Sequence, residues 1–143
     1  MRLFIPVTPM GAVRMTGRGK WVSPTAQKYL DYKTAVAWEA KQQAKLEVPI
    51  SNPIIITEIT FVMPIPSSGY VERIEGGKRK RRRVNPGEYH IGKPDIDNLF
   101  KGVTDSLSGI VWEDDRLICE VGRQRKIYGE QPRIEIEIEE VSA

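Results

Sequence analysis

The sequence predicts an α+β domain: two main helices on a mixed, largely antiparallel sheet. Three observations predict it. Apolar residues recur at spacings of three and four in two separate stretches, 25–46 and 95–108, as they do on the buried face of a helix. Short β-branched or apolar runs lie around these stretches, at 2–7, 54–63, 117–121 and 123–128. The run Arg133 to Glu139 alternates Ile and Glu without a fault, so Ile134, Ile136 and Ile138 share one face of a strand. At 143 residues the chain reads as a single domain, 1–143, since domains commonly run about 100–200 residues.

Each element has a local reason. Arg2 to Val7 is an apolar run stopped by prolines, hence a first strand. Met10 to Lys20 is rich in Gly, Arg and Lys and reads as a loop or loose hairpin, with a short strand at Trp21 and Val22. Ser23-Pro24 is a helix start, with serine as N-cap and proline in the first turn. The helix that follows places Tyr29, Tyr32 or Lys33, Val36 and Ala40 on one face and ends before Pro49. Ile54 to Met63 is β-branched and aromatic and reads as a central strand. Pro64 to Gly92 lacks a clear period and is too long to be an idle connection, so it reads as a flexible basic arm at about 66–92. Asp95 to Ser108 is the second helix, its stripe formed by Ile96, Leu99, Phe100, Val103 and Leu107, with Gly109 at a left-handed cap. Gly129 to Pro132 reads as the turn of a closing hairpin, whose last strand shows its glutamates to solvent.

Composition excludes several kinds of chemistry. One cysteine, Cys119, and one histidine, His90, cannot build a Cys/His zinc site, which needs about four such ligands. Serine or cysteine triads would hang on His90 alone. Cys119 reads as a small buried strand residue, and Trp112 and Phe61 as core. No apolar run approaches the roughly 20 residues of a membrane span. The N-terminus has no secretory h-region before its prolines, so the expected compartment is the cytoplasm. Net charge is +3 but uneven: residues 78–83 read Lys-Arg-Lys-Arg-Arg-Arg, while 135–140 hold four glutamates. A basic run on a modest net charge points to a polyanion contacted by one region.

The densest chemistry lies in Lys93-Pro-Asp-Ile-Asp-Asn-Leu-Phe-Lys101 and Trp112-Glu-Asp-Asp115. Asp95 and Asp97 flank the first turn of the second helix, and Lys101 lies one turn beyond Asp97 on the same face. Taken singly, Asp95 is an N-cap, Asp97 a dipole-complementing carboxylate, Asp97–Lys101 an ordinary ion pair, and Asp114-Asp115 turn residues. Taken together, two or three convergent carboxylates make a hard oxygen site suited to magnesium. A hairpin or strand leaving the cluster Glu113-Asp114-Asp115 can return a carboxylate to the helix start. A nearby lysine neutralises charge growing on phosphate oxygens. Such a set cleaves phosphodiesters without histidine or cysteine.

The run KPDIDNLFKGVTDSLSGIVWEDDRLI, 93–118, resembles the signature of the RusA family of Holliday junction resolvases. It joins a D-x-D-N pair, a lysine four residues on, and a D-D doublet after a Gly-ended helix. The order of the N-terminal half, a proline-bearing strand, Arg14 in a basic loop and SPTAQKYLDYK opening a helix, is also similar. Where the family has a richer Lys/Arg-Pro-Arg motif, this chain has Val13-Arg14-Met15-Thr16. The resemblance implies a RusA-like fold and a homodimeric, magnesium-dependent (Mg2+) endonuclease that nicks four-way DNA junctions in recombination and repair. It implies Asp95, Asp97 and Asp115 as metal ligands and Lys101 as the transition-state cation, with Glu113 and Asp114 as auxiliary candidates. Arg14, Lys78, Arg79, Lys80, Arg81, Arg82, Arg83 and Lys93 are the candidate DNA contacts. Two other functions compete. A non-catalytic DNA-binding module would need none of the four catalytic candidates, and all four are present. A nucleotide phosphohydrolase would need no basic arm.

Overall fold

The computed structural model describes residues 1–15 and 22–142. In chain order these form β1 (Arg2–Ile5), α1 (Pro24–Ala44), β2 (Ile54–Pro64), β3 (Tyr70–Glu75), β4 (Lys78–Arg83), α2 (Ile96–Leu107), a 3-10 turn (Asp115–Leu117), β5 (Ile118–Gly129) and β6 (Arg133–Glu140). The expected strand at Trp21–Val22 falls partly outside the described residues, and Val22 itself is not in a strand.

Helix α1 starts as its sequence requires. Ser23 Oγ accepts a hydrogen bond from the Ala26 amide at 3.1 Å, and Pro24 opens the first turn. Ala26, Tyr29, Tyr32, Val36 and Ala40 form its buried face, so Tyr32 rather than Lys33 completes the stripe. Helix α2 buries Leu99, Val103 and Leu107, and α1 packs against both α2 and β1.

The main sheet runs β1-β6-β2-β5. Strand β6 pairs antiparallel with both β1 and β2, whereas β2 and β5 are parallel. A parallel pair cannot be joined by a tight turn, so the chain between β2 and β5 crosses over through α2. Ile134, Ile136 and Ile138 enter the core, and Glu137 and Glu139 face solvent. Trp112 and Phe61 are fully buried, as expected.

Three expectations are corrected. First, β5 and β6 do not form a closing hairpin, because β2 lies between them. The link from Gly129 to Arg133 passes the end of β2, where Gly129 pairs with Pro64 and Arg133 with Val62. Two strand spacings are about 9.6 Å. Four residue steps reach about 14 Å, so a link this short serves either topology. Second, the segment expected to be irregular contains an antiparallel ribbon, β3–β4, in register from Tyr70↔Arg83 to Glu75↔Lys78. Its two-residue connection is Gly76-Gly77, with φ of 58° and 76°, which the tight turn demands. Third, Cys119 is exposed, because it lies on the solvent side of the edge strand β5.

Candidate active site

The start of α2 is held from two sides. Residues 87–90 run beside the far end of β5, with Gly87 N bonded to Tyr128 O and His90 N to Lys126 O. Lys126 Nζ then donates to the carbonyls of Gly92 (2.5 Å) and Pro94 (2.7 Å), fixing the residues just before the helix. On the other side, Asn98 Nδ2 donates to Ala12 O and Ala12 N to Asn98 O, both at 3.2 Å. The helix start is therefore tied to β5 and to the first loop before any ligand arrives.

Within that frame the acidic residues stay exposed. Asp95 occupies the N-cap position, but its side chain makes no capping bond. Asp97 Oδ1 accepts the Asn98 amide at 2.9 Å. Lys101 is exposed one turn on, and no ion pair among the described residues joins it to Asp97. The cap reading of Asp95 and the ion-pair reading of Lys101 thus lack the contacts that define them.

The doublet after α2 divides its labour. Asp114 Oδ1 accepts the Arg116 amide at 2.9 Å and caps the 3-10 turn. Asp115 Oδ1 accepts the indole N–H of Trp112 at 2.9 Å. Trp112 is 0% exposed, so the core itself orients this carboxylate. The backbone around it is pinned by Ile50 N to Val111 O and Glu113 N to Ile50 O.

The expected convergence of Asp95, Asp97 and Asp115 within one chain is not what the fold provides. Among the described residues no group of three His, Cys, Asp or Glu side chains lies close enough to hold a metal ion. Asp95 precedes the 12-residue α2, whereas Asp115 follows its last residue by eight positions, in the 3-10 turn. Strand β5 does return to the helix start, but it brings Lys126 and not a carboxylate.

The cationic candidates fall into separate places. Arg14 and Lys101 line one cleft of about 400 Å³. Lys93 is exposed on the loop before α2. Lys78 to Arg83 form the whole of β4, and every one of them is exposed. Sequence reasoning missed Lys126, Lys33 and the hold of Trp112 on Asp115. The indole contact at i+3 had a faint local signal. Lys126 had none, because its partners lie more than 30 residues away.

An α+β domain with exposed helix-start carboxylates, a lysine beside them and a cationic ribbon has the make-up of a phosphodiester-cleaving enzyme acting on nucleic acid. Comparison with known proteins agrees. The family model described as endodeoxyribonuclease RusA matches residues 5–139, and the chain belongs to that family. It is also 32% identical, over 136 residues, to a Bacillus subtilis (strain 168) protein named uncharacterized protein YqaN. The match covers 94% of this chain and 88% of that one. No helix among the described residues is long and apolar enough to cross a membrane.

Proposed function

We propose that the protein is a magnesium-dependent endonuclease that resolves four-way DNA junctions as a homodimer, in DNA recombination and repair. One observation carries the reading: Asp95 stands at a helix N-cap without capping it, beside an Asp97 and a Lys101 that do not pair with each other. Ionisable groups left uncommitted at an exposed helix start suit a ligand better than they suit stability.

The donor set fits a hard divalent cation, since Asp95, Asp97 and Asp115 offer only carboxylate oxygens. When bound, such an ion polarises the scissile phosphate and acidifies an attacking water. Lys101 supplies a fixed positive charge for the phosphate oxygens as their charge grows. Trp112 keeps Asp115 in one orientation through its indole N–H. Because the described residues of one chain gather no group of three carboxylates, a two-fold partner is the economical way to complete the set. Each site would then take Asp95, Asp97 and Lys101 from one chain and Asp115 from the other. Two such sites match the two symmetric cuts that a four-way junction needs.

The ribbon β3–β4 supports DNA contact. It carries seven cations and two glutamates between Tyr70 and Arg83, and none of its residues is buried. Two strands without a core are marginal alone. A polyanion lying along them would add the missing stabilisation. Arg14, Lys93 and the β4 cations are the contacts proposed.

The test is nicking of a synthetic four-way junction against linear duplex, with and without magnesium. Paired nicks on the junction alone, dependent on the ion, are expected. Junction binding without nicking would leave a non-catalytic DNA-binding module instead.

A further inference from the structure

We propose that the cleft between the first loop, α1 and α2 is a second phosphate site, in which Lys33 binds a backbone phosphate of the cleaved strand next to the one held at Lys101. This rests on the nuclease reading for the identity of the polymer. The cleft, about 400 Å³, is lined by Arg14, Lys33 and Lys101, each delivered by a different element. Among the described residues none of the three is ion-paired. Three cations around one opening repel each other, and an anion placed between them relieves that cost.

Among the described residues the cleft is lined by one carboxylate, Asp105, against three cations. Asp105 Oδ2 accepts the Tyr29 hydroxyl at 2.8 Å. Tyr29 is 1% exposed, and burial, with that hydrogen bond added, pushes its phenol pKa well above the ordinary value. The hydroxyl therefore stays protonated and keeps donating to Asp105. The same ring holds Lys33, whose Nζ lies 4.9 Å from its centroid. One buried tyrosine thus restrains that carboxylate with its hydroxyl and the α1 cation with its face.

The opposite wall is equally fixed. The two Asn98–Ala12 hydrogen bonds tie the first loop to α2 just before Arg14. Gly102 permits this approach, since a Cβ there would lie 2.8 Å from Met10 O. Glycine inside a helix is less favourable than alanine, so close packing accounts for its presence. Lys101 sits one turn along α2 from Asp105, so the cleft opens directly beside the proposed catalytic lysine.

The experiment is a binding cycle with the full chain in EDTA, with no divalent ion to support cutting. Junctions carry a single uncharged methylphosphonate at each position flanking the cut in turn. Lys33→Gln keeps the aliphatic stem over Tyr29 and removes the charge; Lys33→Arg restores the charge. Lys33→Gln is expected to weaken junction binding about tenfold, the cost of one charged contact. It should also lower the salt slope by about 0.9. One methylphosphonate position near the cut should penalise the wild type and Lys33→Arg but not Lys33→Gln. Equal affinity and equal penalties for Lys33→Gln and wild type at every position would overturn the site. The nuclease reading fails separately, as binding without nicking in magnesium.

Discussion

Asp97 and Lys101 share one helical face, yet removing each should fail in a different way. Asp97→Asn should abolish junction nicking while sparing junction binding, because binding comes from cations meeting phosphates. Asp95→Asn and Asp115→Asn should behave alike. A gel-shift and nicking pair measures both, and near-normal nicking by Asp97→Asn would return the acidic pair to a structural role. Lys101→Ala should keep metal binding and lose about 10²–10³ in rate, as removal of one preorganised electrostatic partner does. His90 offers a test of the fold next to the site. It packs against Tyr128 with ring centroids 4.8 Å apart. Burial first, then the charge of Lys126, lowers its pKa from the ordinary 6.5. The folded chain therefore favours neutral imidazole. Its contribution to stability is full above pH 6.5 and is lost as pH falls through the lower folded value. As His90 is the chain's one histidine, its proton resonance reads the titration directly. A midpoint at or above 6.5 would contradict the packing; His90→Gln should flatten the acid fall in melting temperature.

At the scale of elements, the ribbon and the helices answer to different forces. Helices α1 and α2 are held by buried stripes, so their stability is internal. The ribbon is held by its ladder, by Val84 N to Gly69 O at its base and by surface contacts such as Arg81 over the Tyr70 ring. Exposed ion pairs such as Arg79–Glu72 add little. Replacing Lys78 to Arg83 with serine should leave the melting temperature of the domain nearly unchanged. It should weaken binding to all DNA and lower the salt slope by about 0.9 for each phosphate no longer neutralised. An unchanged slope would show the ribbon to be a bystander.

For the whole molecule, the question is how the metal-binding set is completed. Among the described residues of one chain no three carboxylates gather at one point. If two chains share each site, Asp97→Asn and Asp115→Asn protomers should complement one another. Mixed after unfolding and refolding together, they form heterodimers in which one of two sites has all its ligands. Nicking should reappear, at about one quarter of wild type for random pairing of an isologous dimer. Mixtures as inactive as either parent would place the complete site within a single chain. Light scattering at micromolar concentration should find the dimer itself.

Much of this was legible in the sequence because it is local. The Ser23 cap, the α1 and α2 stripes, the Ile/Glu alternation of β6 and the spacing of Asp95, Asp97 and Lys101 each lie within one element or its edge. Periodicity and capping act over a few residues, so they survive without the fold. The ribbon was half legible: Gly76-Gly77 marks a tight turn, but six consecutive cations hide a strand, since lysine and arginine carry little β signal. What only the tertiary structure decided involves distant partners. The insertion of β2 between β5 and β6 could not be read from a four-step link. Neither could the grip of Lys126 on Pro94, nor the Tyr29–Asp105 bond across 76 residues. The absence of a three-carboxylate cluster among the described residues belongs to the same group. A sequence pattern records which groups are present and on which face, whereas the direction in which a rigid helix carries the next segment is set by packing against the rest of the chain.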